Sequence, residues 1–101
     1  MAITAQLNGD DQALTISIAG RFDFSLHQEF RDAYENSDHD PSAYRVDMRD
    51  ATYLDSSALG MLLLLRDFAG GDQAKVEIVN CNADVRKILS ISNFEQLFTI
   101  H

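Results

Sequence analysis

The sequence predicts an α/β fold, a mixed and mostly parallel β-sheet with helices packed against it, in the order β-β-α-β-α-β-α-β. Three observations predict it. Two early segments alternate apolar and polar residues, Ile3, Ala5, Leu7 and then Leu14, Ile16, Ile18, around an Asn8-Gly9 pair suited to a tight turn. Two later strand-like segments, Tyr44-Val46-Met48 and Val76-Ile78-Val79, are each followed by helical periodicity. Strand-helix-strand units need a crossover, and crossovers make the strands they join parallel.

The first two strands form a hairpin through Asn8-Gly9-Asp10-Asp11. Beyond Gly20, Ser25 is the expected cap of a helix in which Leu26, Phe30, Ala33 and Tyr34 recur at helical spacing, and Asp38-His39-Asp40-Pro41 ends it. Tyr44, Val46 and Met48 then alternate with Arg45, Asp47 and Arg49, and after a short connection an unusually apolar helix begins near Asp55 and stops at Gly70-Gly71. Asn82 caps a third helix carrying Val85, Ile88, Leu89 and Ser92 on one face; Leu97, Phe98 and Ile100 supply the last strand.

Composition narrows the function. At 101 residues, 46% hydrophobic and 24% charged, the chain has room for one domain, residues 1–101. Sixteen acidic against eight basic residues give a net charge of −8, which opposes nucleic acid and anionic membrane as partners. The single Cys81 leaves no internal disulfide and no cysteine-based metal site. It reads as a small packed residue in a reducing compartment, with the cytoplasm as the expected location. No signal sequence is evident, and the apolar run Ala58 to Leu65 is far short of a membrane span, so no membrane insertion is expected. No cofactor and no metal are called for.

In open α/β sheets, sites gather where strand ends meet helix starts. Two such junctions are present, Gly20-Arg21-Phe22-Asp23 and Leu54-Asp55-Ser56-Ser57-Ala58-Leu59-Gly60. Asp55 suits an N-cap, and Ser56 and Ser57 then fall in the first turn, where backbone N–H groups lack partners and a phosphate would be well received. The plain alternative is a well-capped helix start with no further role. Gly60 argues for more, because a mid-helix glycine costs about 0.5–1 kcal/mol relative to alanine and implies close approach of backbone or a partner. Leu59, Leu62 and Leu63 are expected to form the core stripe, leaving Met61, Leu64 and Phe68 for the other side. A methionine there would suit an adaptable docking surface, or would be covered by a neighbouring helix. Asp23 would lie near Ser56 if the two strands are neighbours, the plain alternative being an ordinary loop carboxylate or cap.

These junctions, together with Ile91-Ser92-Asn93-Phe94 before the terminal Leu97-Phe98-Thr99-Ile100, resemble the STAS domain of bacterial anti-sigma factor antagonists, in particular the HsbA-type of Gram-negative bacteria. The likeness runs over essentially the whole chain and implies a STAS fold. It makes Ser56 the phosphoacceptor, Ser57 the adjacent Ser/Thr position, Asp23 and Asp55 the flanking acids, and Gly60 the helix glycine. Ala58 stands where many members have glycine. The resemblance further implies an anti-sigma factor as partner of the unphosphorylated form, a serine kinase and phosphatase acting on Ser56, and partner contacts from Asp23, Asp55, Ser57, Ala58, Gly60 and Met61. A second reading is a non-catalytic accessory subunit of a phospholipid-type ABC transporter, which needs the apolar helix but no phosphate. A serine hydrolase is disfavoured, because adjacent Asp55 and Ser56 with His27, His39 or His101 elsewhere do not make a triad, and no Gly-x-Ser-x-Gly elbow exists. Arg86, Lys87, Glu29, Asp32 and Glu35 read as solvated helix positions.

Overall fold

The computed structural model describes residues 2–8, 12–35, 41 and 43–100. The elements run β1 (Ile3–Leu7), β2 (Ala13–Phe22), α1 (His27–Glu35), β3 (Ala43–Leu54), α2 (Ser56–Phe68), β4 (Val76–Val79), α3 (Ala83–Ile91) and β5 (Thr99–Ile100). Short 3-10 turns precede α1, follow α2 and follow α3. The sheet order is β1-β2-β3-β4-β5, antiparallel between β1 and β2 and parallel thereafter. Each successive parallel strand is laid down on the same side of its predecessor, so right-handed crossovers put all three helices on one face. The expected fold class and element order are therefore found.

Strand periodicity makes the two faces unlike. Leu14, Ile16 and Ile18 of β2, Tyr44, Val46 and Met48 of β3, and Val76 and Ile78 of β4 are buried beneath the helices. The intervening Thr15, Ser17, Arg45, Asp47 and Glu77 share the opposite face, where Arg45 Nε lies 3.4 Å from Glu77 Oε2 on the neighbouring strand. Phe30 and Tyr34 of α1, Ala58, Met61, Leu62 and Leu65 of α2, and Val85 and Leu89 of α3 pack onto the buried strand residues, joined by Ile3, Phe22, Ala51, Leu54, Phe94 and Phe98.

Several local readings change. The expected connection after Met48 does not exist, because β3 runs unbroken to Leu54. Its pairing with β2 slips twice, between Ser17 and Ala19 and between Gly20 and Arg21, each time with an extra residue on β3. The bulges replace alternation by a spacing in which Met48, Ala51 and Leu54 are buried. At the start of α1 the cap is Asp23, not Ser25. Asp23 accepts hydrogen bonds from the Ser25 backbone N–H at 3.0 Å and from the Ser25 hydroxyl, closing the turn Phe24–Leu26. Glu29 is half-buried, and its carboxylate accepts a hydrogen bond from the Ile3 N–H at 3.0 Å, covering part of the β1 edge. Most of the expected hairpin turn, residues 9–11, and the expected helix stop at 38–40 lie outside the described residues.

The two kinds of leucine on α2 give a direct check on this packing. Leu62 is fully buried, so Leu62→Ala should lower unfolding stability by about 2–5 kcal/mol, whereas Leu64→Ala, at an exposed position, should change it by no more than about 0.5 kcal/mol. Urea unfolding of both variants reads the difference.

Candidate functional site

The parallel pairing of β2 with β3 sets Arg21 opposite Tyr53 and Phe22 opposite Leu54, so both strands end at the same level. Asp23 and Asp55 are the next residues of each. Asp55 has extended backbone geometry, donates its N–H to the Phe22 carbonyl at 3.4 Å and accepts the Leu59 N–H at 3.2 Å on its own carbonyl. Its carboxylate accepts from the Ala58 N–H at 3.0 Å and from the Ser57 hydroxyl at 2.6 Å. One residue thus ends β3, starts α2 and ties both to β2.

These bonds hold both carboxyls below their ordinary value of 3.8. For Asp55 the largest cause is the Ser57 hydroxyl, followed by the Ala58 N–H. For Asp23 it is the Ser25 hydroxyl, then the Ser25 N–H, with Arg21 assisting and the Asp55 charge opposing. Two ionised carboxylates therefore flank the start of α2 at neutral pH. Arg21 Nε stands 3.8 Å from Asp23 Oδ2, and its guanidinium lies 4.5 Å from the Tyr53 ring centroid.

The two serines differ. Ser57 is half-buried and its hydroxyl serves the Asp55 cap, whereas Ser56 is exposed and its hydroxyl has no partner among the described residues. Down the same outer stripe of α2 come Gly60, Leu63 and Asp67, all exposed.

Two of the expected contact residues lie inward: Ala58 is completely buried, and Met61, 4% exposed, sits between α1 and α2 at the floor of the groove they form. The physical reason is the helix phase: with Ala58 against the sheet, Met61, Leu62 and Leu65 fall on the same face at i+3, i+4 and i+7. Leu63, expected in the core, is exposed, and Leu59 is half-buried; Leu64 and Phe68 do lie outside. At Gly60 a Cβ would meet nothing within 4 Å, so no other segment among the described residues approaches there.

The sequence reading missed Phe24. It is 64% exposed and stacked on His27 at 4.9 Å between centroids. Period-two counting from Phe22 puts Phe24 in the core; the 3-10 turn capped by Asp23 swings it out, and the Asp-x-Ser spacing of that cap was the available signal. His27 opens α1, while His39 and His101 lie outside the described residues. Cys81 is half-buried, and burial pushes its thiol up, away from thiolate reactivity. Among the described residues no group of three His, Cys, Asp or Glu side chains could hold a metal, and no helix is long and apolar enough to cross a membrane.

The family profile described as the Mlab STAS domain matches residues 5–99. The chain belongs to the STAS-domain family. A STAS-domain-containing protein of Pseudomonas aeruginosa (strain UCBPP-PA14) is 66% identical over 100 residues, covering 99% of each chain. Among solved structures, an anti-sigma factor antagonist from Mycobacterium paratuberculosis superposes with a TM-score of 0.73 at 19% identity, over 98% of this chain and 85% of that one. The anti-sigma factor antagonist SpoIIAA in its unphosphorylated form gives 0.71 at 13% identity, over 99% and 87%. At these identities the two structures establish a shared fold. The STAS domain here thus places its β3–α2 junction at the carboxyl end of the parallel strands, with the geometry described above.

Two outcomes test the site as a piece of structure. Gly60→Ala should stabilise the isolated protein by about 0.5–1 kcal/mol in urea unfolding, because the added methyl meets open space and removes backbone freedom from the unfolded chain. Because folding lowers the Asp55 pKa, its ionised form favours the folded state. That contribution is complete above the ordinary 3.8 and is lost as pH falls through the lowered value. Asp55→Asn keeps a capping oxygen but cannot titrate, so its urea midpoint should decline less steeply on acidification than that of the wild type.

Proposed function

We propose that this STAS domain is an anti-sigma factor antagonist controlled by phosphorylation of Ser56. The observation that carries the reading is the exposed Ser56 hydroxyl in the first turn of α2, without a partner among the described residues and next in sequence to the ionised Asp55, while its neighbour Ser57 is committed to the cap. In the unphosphorylated form the surface around Asp23, Phe24, Asp55, Ser56 and Gly60 docks the anti-sigma factor and thereby frees a sigma factor. Gly60 lets the partner approach the helix backbone.

A serine kinase transfers the terminal phosphoryl group of ATP to Ser56 Oγ. The product adds about 1.5–2 negative charges beside Asp23 and Asp55. The helix start tolerates this, since its dipole favours an anion, so the fold persists while the partner is expelled. Reversing a population from 1:99 to 99:1 needs about 5.5 kcal/mol. Exposed charge contributes at most about 1 kcal/mol, so most must come from charge left desolvated in a close-packed interface. A phosphatase resets the switch.

Peptide mass spectrometry of protein from its native cells should find reversible phosphate on Ser56 and not on Ser57. Against the anti-sigma factor, Ser56→Ala should bind as tightly as unmodified protein, and the phosphoprotein should bind at least about a hundredfold less tightly, some 2.7 kcal/mol. Equal affinity of the two forms contradicts the switch. No phosphate in any growth state, with an ATPase co-purifying at fixed stoichiometry, would reassign the protein as an accessory subunit.

A further inference from the structure

Between α1 and α2 lies a groove of about 280 Å3, floored by Phe30, Tyr34, Met61, Leu64 and Phe68. Leu64 and Phe68, one helical turn apart, are 55% and 51% exposed, and the Phe68 ring lies 5.0 Å from that of Tyr34. Contiguous apolar and aromatic surface of this kind is unfavourable in water and gains by being covered.

The charges around it select the occupant. Arg31 and Glu35 at one rim are paired with each other, whereas Asp67 at the other has no ion-pair partner among the described residues. The chain as a whole carries −8, so a second copy brought to this face would meet repulsion.

We propose that the α1–α2 groove docks a basic amphipathic helix of a partner protein. The apolar stripe of that helix covers Leu64 and Phe68, as a third helix laid into the furrow between two others, and one of its cations meets Asp67 beside the Tyr34 and Phe68 rings. The groove is separate from Ser56 itself: Leu64 and Phe68 lie eight and twelve residues further along α2, about 12 and 18 Å at 1.5 Å per residue, while Gly60, one turn before Leu64, and His27, stacked on Phe24, border both surfaces. The proposal goes beyond the switch and does not depend on it.

The test is an amide chemical-shift titration of the full 15N-labelled chain. The probe is a synthetic helical peptide with leucines on one face and lysines on the other; a twin carries glutamate for every lysine. The lysine peptide should shift amides within 27–35 and 61–68, and the twin should not. Asp67→Asn and Leu64→Asn, both at exposed positions, should each weaken binding about tenfold, while Ser56→Asp leaves it unchanged. Shifts centred on Asp23 and Asp55, shifts scattered over the acidic surface, equal binding of the twin, or affinity undiminished by Leu64→Asn would each overturn the proposal.

Discussion

Strand β3 ends on Leu54 and helix α2 begins on Ser56, so Asp55 alone has to stop a strand, start a helix and hold both against the neighbouring strand. It does so with every polar group it owns: N–H to Phe22, carbonyl to Leu59, carboxylate to Ala58 and Ser57. With no loop to absorb error, the angular phase of α2 follows from this one residue. That phase sends Ala58, Leu62 and Leu65 into the core and turns Ser56, Gly60 and Leu63 outward. A different cap geometry would rotate the helix, and packing and site would change together.

The same bonds set the electrostatics. A carboxylate that accepts an N–H and a hydroxyl is stabilised in its charged form, and Asp23 repeats the arrangement one strand away. The dipole of the helix start and these two carboxylates act oppositely on an added anion: the helix start attracts it, and the flanking acids repel it. In the proposed switch a phosphate on Ser56 would be tolerated by the isolated domain and costly only where a partner excludes water from it, so that one modification would change binding without changing the fold.

Much of this was legible because capping and periodicity are local. Asp55 as N-cap, Asn82 as cap of α3, and the exposed Leu64 and Phe68 all follow from residue type and spacing, and the structure carries them. What sequence reading lost depends on contacts between distant segments. The two bulges that extend β3 to Leu54 exist only against β2, and they erased the alternation that would have marked the strand. Sequence leaves Met61 open between docking and cover by a neighbouring helix, because Leu59 and Leu63 make an equally plausible apolar stripe; the angle at which Asp55 launches the helix decides between them. Gly60 had the opposite fate. Its presence invited a tight contact, yet the described residues supply none.

The central claim is that the switch is local surface chemistry on an unaltered scaffold. Its most direct test compares amide spectra and hydrogen exchange of the unmodified protein with protein phosphorylated at Ser56. Changes confined to 23–25 and 55–60, with unchanged protection through β2, β3 and the rest of α2, are the result expected. Loss of protection along α2 or across the sheet would contradict it, because the phosphate would then act by loosening the helix rather than by altering the face that a partner meets.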